Sequence, residues 1–235
     1  MKTIVNGIIL KRISYSETSL IVSIYTLQKG LKTYLFPGGK KKKSNMLQPL
    51  ALVELETYER PESDLGKISA IESDYVFQSL PFHPIKSGLA FFLAELLASC
   101  LKAEEEDAHC FNFLSDEIRF LDNTNELGVY PSWFLLELTK HLGCTPHIVD
   151  SQPNYLDLIN GTLTSAKPYD HAYIASTSVF WICELLRVTR EEGQSLLIPK
   201  AERKMLLHDL LTYYKHHLEG FKTPKSLEVL EVVWG

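Results

Sequence analysis

The most chemically distinctive stretch of the sequence is a run of four lysines, residues 40–43, preceded by Gly38 and Gly39 and followed by Ser44. Four adjacent ammonium groups repel one another, so such a loop is stabilised when it binds a polyanion. The two glycines give the backbone freedom to close around a chain of phosphates. A lysine run can equally be a solvated, solubilising turn, and the run alone favours neither interpretation.

Charge is unevenly distributed along the chain. The 235 residues carry 24 basic and 29 acidic side chains, a net charge of −5. Residues 1–60 contain 10 basic and 4 acidic side chains, so that segment has a net charge of +6 and the remainder −11. This asymmetry predicts a basic module that meets a polyanion, carried on an acidic body. An acidic chain overall does not exclude a nucleic acid ligand, because counterion release depends on local phosphate contacts.

Basic and aromatic side chains are interleaved in the same segment, which is a pattern typical of single-strand binding. Lys32 and Tyr34 are two residues apart in a predicted strand and therefore share a face, which we expect to be the outer one. Tyr15 could also stack on a base, whereas Tyr25 is expected to pack in the core. The candidate nucleic-acid-binding residues are Lys11, Arg12, Lys32, Tyr34, Lys40, Lys41, Lys42 and Lys43.

Patterns typical of catalysis, metal binding and membranes have little support. The sequence contains no GxxxxGK[ST], GxSxG or HExxH motif, and His208, His216 and His217 are expected on a solvated helix face. The four cysteines form no CxxC pair, which argues against a zinc site and indicates a reducing, cytoplasmic location. No apolar run approaches the roughly 20 residues of a membrane-spanning helix, and no secretory signal is recognisable. We expect a non-catalytic protein, with an enzyme of unrecognised site as one alternative.

The sequence pattern changes near residue 80 from that of strands to that of helices, so the predicted fold class is α+β. Alternating, β-branched segments separated by Gly-rich turns predict a small five-stranded barrel over residues 1–80, closed or partly open, with the oligonucleotide-binding (OB) type among the possibilities. Residues 81–235 are predicted to form an all-α domain, with a small hairpin insertion at about residues 147–170 signalled by Asn160-Gly161. The predicted strands are residues 3–12, 20–26, 31–36, 50–58 and 67–71, and the predicted helices include residues 85–101, 132–142 and 200–218.

Four segments, in order and covering nearly the whole chain, resemble the RecO family of bacterial recombination mediators. The resemblance implies an OB-type barrel on a helical domain, with the family's DNA-binding loop at residues 40–43 near Arg12 and Lys32. The segments are GIILKR from Gly7 with YSETS from Tyr15, the stretch from Thr26 through the lysine loop to LQPL ending at Leu50, LLELTKHLGCTP ending at Pro146, and LLTYYKHHL from Leu210 with KSL from Lys225.

Family resemblance also implies a function and a set of partners. Members bind single- and double-stranded DNA, anneal complementary strands, and with RecR, and in many bacteria RecF, help to load RecA on DNA coated by single-strand-binding protein. Many members carry a four-cysteine zinc element after the segment that ends at Pro146, but residues 147–165 contain no cysteine. We therefore expect no zinc and no other cofactor, in a cytoplasmic, nucleoid-associated protein. The alternative from another class is a protein-interaction adaptor whose barrel binds a protein or peptide.

Overall fold

The computed structural model describes residues 2–40, 44–59, 65–102 and 106–234. The chain divides into two compact units, residues 1–123 with 224–226 and residues 124–223 with 227–235. Strands give way to helices between Ser73 and Pro84, close to the predicted boundary at residue 80, whereas the compact division follows the second helix.

The first unit is built on a closed barrel, which confirms the predicted five-stranded fold. The strands are β1 (Lys2–Ser14), β2 (Leu20–Thr26), β3 (Gly30–Phe36), β4 (Leu52–Tyr58) and β5 (Leu65–Ser73). The strand order is β1-β2-β3-β5-β4, and every neighbouring pair is antiparallel except β3 with β5. A short 3-10 helix, Ser44–Leu47, lies between β3 and β4.

Strand β1 changes its environment at a bulge between Ile9 and Lys11. The residues just before the bulge are buried, and the four from Lys11 to Ser14 are exposed. Bulges re-aim side chains and bend a strand. The end of β1 therefore leaves the core and presents consecutive side chains at one end of the barrel.

Two helices, α1 (Pro84–Cys100) and α2 (Ala108–Asn123), complete the first unit. Asp107 caps the second helix, because its side chain accepts a hydrogen bond from the backbone N of Cys110 at 2.9 Å. The ring of Tyr25 packs on Phe111 with centroids 6.0 Å apart and is 3% exposed, which confirms its predicted place in the core.

A carboxylate fixes the segment that joins the barrel to α1. Asp122 accepts hydrogen bonds from the backbone N of Gln78 at 2.8 Å, Ser79 at 2.9 Å and Leu80 at 2.6 Å. The buried Lys86 ammonium donates to the Asp122 carbonyl at 2.7 Å. Burial of charged groups is tolerated because each has several hydrogen-bond partners.

The second unit combines helices with a small sheet of order β6-β8-β7-β9. The hairpin predicted at Asn160-Gly161 is the β7–β8 pair, and the sheet extends it with one strand on each side. The elements are α3 (Tyr130–His141), β6 (His147–Ile148), β7 (Tyr155–Asp157), β8 (Thr162–Thr164), β9 (Tyr173–Ile174), α4 (Thr177–Leu185), α5 (Arg190–Gln194), α6 (Lys200–His217) and α7 (Leu227–Trp234).

Asp157 holds the turn of this hairpin. Its Oδ1 accepts from the backbone N of Ile159 at 2.8 Å and of Asn160 at 3.0 Å, and its Oδ2 lies 2.8 Å from Asn160 Nδ2 and 3.2 Å from His171 Nδ1. Burial alone would raise the pKa of Asp157, but these hydrogen bonds lower it to about 2. A carboxylate thus cross-links the tip of the hairpin.

The histidines of α6 do not share one solvated face. His208 Nε2 lies 2.5 Å from Glu231 and His216 is exposed, whereas the ring of His217 packs on Tyr213 with centroids 4.1 Å apart. The expectation of a solvated position is therefore wrong for His217, because the helix turns this residue toward the small sheet.

Candidate nucleic-acid interface

The loop after β3 folds back over one end of the barrel. Gly38 has a φ of +73°, a left-handed conformation that glycine adopts without strain. A Cβ on Gly39 would lie 2.7 Å from the ring of Phe36, so only glycine permits this approach. The backbone N of Lys40 donates to the Thr18 carbonyl at 3.2 Å. These contacts place Lys40, the first lysine of the run, beside the β1–β2 turn.

An open groove of about 380 Å³ lies at this end of the barrel. Arg12 and Lys40, both exposed, meet there although they are 28 positions apart in the sequence. Two cations beside apolar side chains can bind a phosphate while a sugar or base contacts the apolar wall. The groove is lined by Arg12, Ile13, Ser14, Leu20 and Lys40.

The sequence led us to expect Tyr34 on the outer face of the barrel, but the structure places it inside. It is 0% exposed and is paired with the buried Val22 on one side and with Gly66 on the other. A Cβ on Gly66 would lie 2.5 Å from the Tyr34 ring, so glycine makes the room that the ring fills. The Tyr34 hydroxyl donates to Glu59 Oε1 at 3.2 Å, and burial raises the pKa of this tyrosine. A buried ring cannot stack on a base, so this part of the prediction is wrong.

Lys32 lies on the same side of β3 as Tyr34, and its charge also acts on the Glu59 carboxylate. Lys29 Nζ pairs with Glu59 Oε2 at 2.7 Å. Partial burial would raise the pKa of Glu59, but Lys29, the Tyr34 hydroxyl and the charge of Lys32 lower it. Lys32 stands four residues along β3 from the groove end, which is about 13 Å. The structure therefore does not bring Lys32 together with the groove cations.

Lys11 and Arg12 point to opposite faces of β1. Lys11 is paired with Ser23 and Arg12 with Val22, and successive side chains alternate across a strand. Lys11 thus lies on the outer face of the barrel wall and Arg12 at the groove. Three further predicted residues, Lys41, Lys42 and Lys43, lie outside the described residues.

The barrel's lysines differ in how their charges are balanced. Lys2 pairs with Glu56 at 2.8 Å, and Lys29 pairs with Glu59. Within the described ranges, by contrast, Lys11, Lys40 and Lys67 form no ion pair. Lysines without a carboxylate partner are the ones whose charge is available to a phosphate. Sequence reasoning did not single out Lys67, although its alternation with the buried Gly66 and Ile68 marks it as outward-facing.

Among the residues that the structure describes, no three His, Cys, Asp or Glu side chains converge so that they could hold a metal ion. No helix in the described part of the chain is both long and apolar enough to cross a membrane.

Comparison with known proteins identifies the family. Residues 1–76 match the family model "Recombination protein O N terminal". A "DNA repair protein RecO" of Bacteroides fragilis is 35% identical over 232 residues, 96% of each chain. Proteins of the same name from Phocaeicola vulgatus and Flavobacterium psychrophilum are 33% identical over 96% of each chain and 31% identical over 97% of each chain. With this identity over almost the full length, and with the predicted barrel in place, the chain belongs to the RecO family of DNA repair proteins.

Proposed function

We propose that this chain is a recombination mediator that acts on DNA without catalysing a covalent step. It binds single- and double-stranded DNA and anneals complementary strands. With RecR, and with RecF where that protein is present, it helps to load RecA on DNA coated by single-strand-binding protein. The proposed place of action is the cytoplasm, at the nucleoid, and no cofactor takes part.

The observation that carries this proposal is the groove in which Arg12 and Lys40 meet at the open end of the barrel. Lys40 is also the first of four consecutive lysines, which are the most concentrated positive charge of the sequence. Counterions released from phosphates at such a site drive binding without regard to base sequence. Contacts of this kind suit a protein that must act on any damaged site.

Annealing follows from the same charge distribution. Two DNA strands repel each other through their phosphates, and cations beside one strand reduce that repulsion. The groove holds the backbone, so the bases remain able to pair with a second strand. The acidic remainder of the chain, net −11, disfavours DNA elsewhere and directs it to the barrel.

A strand-annealing assay with two labelled complementary oligonucleotides tests the proposal. We expect replacement of residues 40–43 by alanine to slow annealing about tenfold at low salt, with a smaller difference at high salt. Lys2→Ala is the control for loss of a lysine elsewhere on the barrel. Because Lys2 is already paired with Glu56, this variant should anneal DNA like the wild type. An unchanged rate in the alanine variant would contradict the mechanism. If the barrel instead binds a peptide, as an adaptor would, the wild type should fail to anneal DNA and its partner binding should survive nuclease.

A further inference from the structure

One side of the small sheet in the second unit carries a pair of tyrosines. Leu156 of β7 and Ile174 of β9 are cross-strand partners and are buried, so their neighbours Tyr155 and Tyr173 lie together on the opposite side. The two tyrosine rings are half-buried, their centroids are 5.5 Å apart, and their planes are inclined at 85°. The sheet therefore packs on the core with one side and presents an aromatic surface with the other.

The loop between β8 and β9, residues 165–172, is fixed against this aromatic surface. Near its start, Lys167 Nζ lies 5.2 Å from the centroid of the Tyr173 ring. Near its end, His171 Nδ1 lies 3.2 Å from Asp157 Oδ2. Asp157 is the cross-strand partner of Tyr173, so both contacts lie on the tyrosine side of the sheet.

Tyr169 projects from the middle of this loop into solvent and is 88% exposed. The next residue, Asp170, has a φ of +57°, a left-handed conformation that is disfavoured for residues with a Cβ. Such backbone persists where the surrounding contacts hold it, and it is concentrated at binding sites. A large ring held in solvent by a fixed loop loses little entropy when it meets a partner. We call Tyr155, Tyr169 and Tyr173 the tyrosine face.

The charge around the tyrosine face disfavours a nucleic acid. Residues 147–174 have a net charge of −2, from one lysine, Lys167, and the three carboxylates of Asp150, Asp157 and Asp170. Phosphates are repelled by such a surface. The Lys167 ammonium also covers one face of the Tyr173 ring, which a base would need for stacking. These features indicate a peptide partner that is uncharged or basic.

One of the three carboxylates is available to such a partner. Asp150 accepts a hydrogen bond from the backbone N of Ser165 at 2.6 Å, and Asp157 accepts one from the backbone N of Ile159 at 2.8 Å. Asp170, in contrast, is exposed and forms no hydrogen bond or ion pair within the part of the chain that the structure describes. Its charge therefore complements a basic side chain that approaches beside Tyr169.

We propose that the tyrosine face binds an extended, proline-rich peptide of a partner protein, with Asp170 pairing with a basic residue of that peptide. Two rings at right angles leave a notch between the face of one and the edge of the other, and a proline ring fits such a notch. A polyproline II peptide has no internal hydrogen bonds, so its carbonyls can accept from tyrosine hydroxyls. It is also extended before it binds, which keeps the entropic cost low. This inference does not depend on DNA binding at the groove.

Fluorescence anisotropy with the full chain tests the proposal. The probe is a fluorescein-labelled peptide of one arginine followed by nine prolines. We expect saturable binding of this probe, and about tenfold weaker binding when glycines replace the prolines, because a flexible peptide must be ordered on binding. Replacing the arginine by glutamate should also weaken binding. No saturable binding up to about 1 mM, or equal affinity for the glycine peptide, would overturn the proposal.

Tyr169→Ala is the most informative variant, because so exposed a side chain can be shortened without leaving a cavity. We expect it to lower the affinity for the arginine–proline probe about fivefold or more. Phe82→Ala removes a similarly exposed ring from the first unit and is the matched control. Asp170→Asn, which tolerates the left-handed φ, should abolish the preference for arginine over glutamate. Unchanged affinity in Tyr169→Ala, or an equal loss in Phe82→Ala, would overturn the proposal.

Tyrosine nitration followed by mass spectrometry gives a measurement on the wild-type protein. The arginine–proline peptide should protect Tyr169 several-fold and leave Tyr15 of the first unit, which is also exposed, as reactive as before. Equal reactivity of Tyr169 with and without the peptide would overturn the proposal. Protection of Tyr169 by an oligothymidylate but not by the peptide would identify a nucleic acid surface and would overturn it as well.

Discussion

The Tyr34 hydroxyl donates a hydrogen bond to Glu59 Oε1 over 3.2 Å. This tyrosine therefore has a structural role in the barrel and is not part of the proposed DNA surface. Glu59 also pairs with Lys29 and faces the charge of Lys32. Positive charge along this side of β3 is thereby partly offset within the protein. The DNA contacts that we propose lie instead at the groove, where Arg12 and Lys40 are exposed.

Replacing Tyr34 by phenylalanine should affect stability and not DNA binding. The variant keeps the ring against Gly66 and loses one hydrogen bond to a carboxylate, which costs about 1–3 kcal/mol of unfolding free energy. Urea denaturation measures this loss, and fluorescence anisotropy with single-stranded DNA measures binding. A several-fold loss of affinity in a variant of normal stability would show that Tyr34 contacts DNA after all.

Tyr15 lies beside the groove, and we expect its ring to stack on a base. It is 63% exposed and follows Ser14, which lines the groove. Stacking contributes about 1–3 kcal/mol per base and involves no counterion release. We expect Tyr15→Ala to weaken single-strand binding about five- to 150-fold without changing its salt slope. Tyr15→Phe is the control and should bind like the wild type, and equal affinity of both variants would exclude stacking.

Asp157 should make the stability of the second unit depend on pH in the acid range. Its pKa is about 2 in the folded chain and 3.8 ordinarily, so its stabilisation is complete above about pH 4 and is lost as the pH falls toward 2. Asp157→Asn should lower the unfolding free energy by about 1–3 kcal/mol at pH 7. The difference between wild type and variant should shrink between pH 4 and pH 2 in urea titrations, and a constant difference would contradict this role.

Treatment with a metal chelator should leave the stability and the DNA binding of the protein unchanged. The hairpin is cross-linked by Asp157, and a second carboxylate, Asp150, accepts hydrogen bonds from the backbone and side chain of Ser165. We expect a chelator to alter neither the melting temperature nor the affinity for DNA. A family member with the four-cysteine element is the positive control and should lose stability. A fall of several degrees in this chain would reveal a metal.

Sequence periodicity predicted the barrel but not the orientation of β3. Lys32 and Tyr34 do share a face, as their spacing requires, yet the intervening residues are also largely apolar, so either face could have been buried. The neighbouring strands determine which face of β3 is buried, because Val22 of β2 and Gly66 of β5 leave room for an aromatic ring on the inner side. A glycine within a strand signals close packing, and Gly66 was the available clue.

The candidate site was only partly predictable for a similar reason. The groove forms because β1 is exposed after its bulge, which places Arg12 at the end of the barrel, and because Lys40 is tied to Thr18; neither feature has a local sequence signal. The Asn160-Gly161 turn, in contrast, has a strong local signal, and the hairpin lies where predicted. Local sequence signals thus predict where helices, strands and turns lie, whereas the candidate site depends on contacts between segments that are distant in the sequence.

The most direct test of DNA binding at the groove is fluorescence anisotropy with labelled single-stranded DNA over a salt series. The wild type should lose affinity steeply as salt rises, and the double variant Arg12→Ala with Lys40→Ala should lower the log–log slope by about 1.4, the value for two phosphate contacts. Lys2→Ala, which removes one positive charge from the same strand as Arg12, serves as the control and should leave the slope unchanged because Lys2 is paired with Glu56. Equal slopes for the wild type and the double variant would contradict the central claim and place the DNA elsewhere on the molecule.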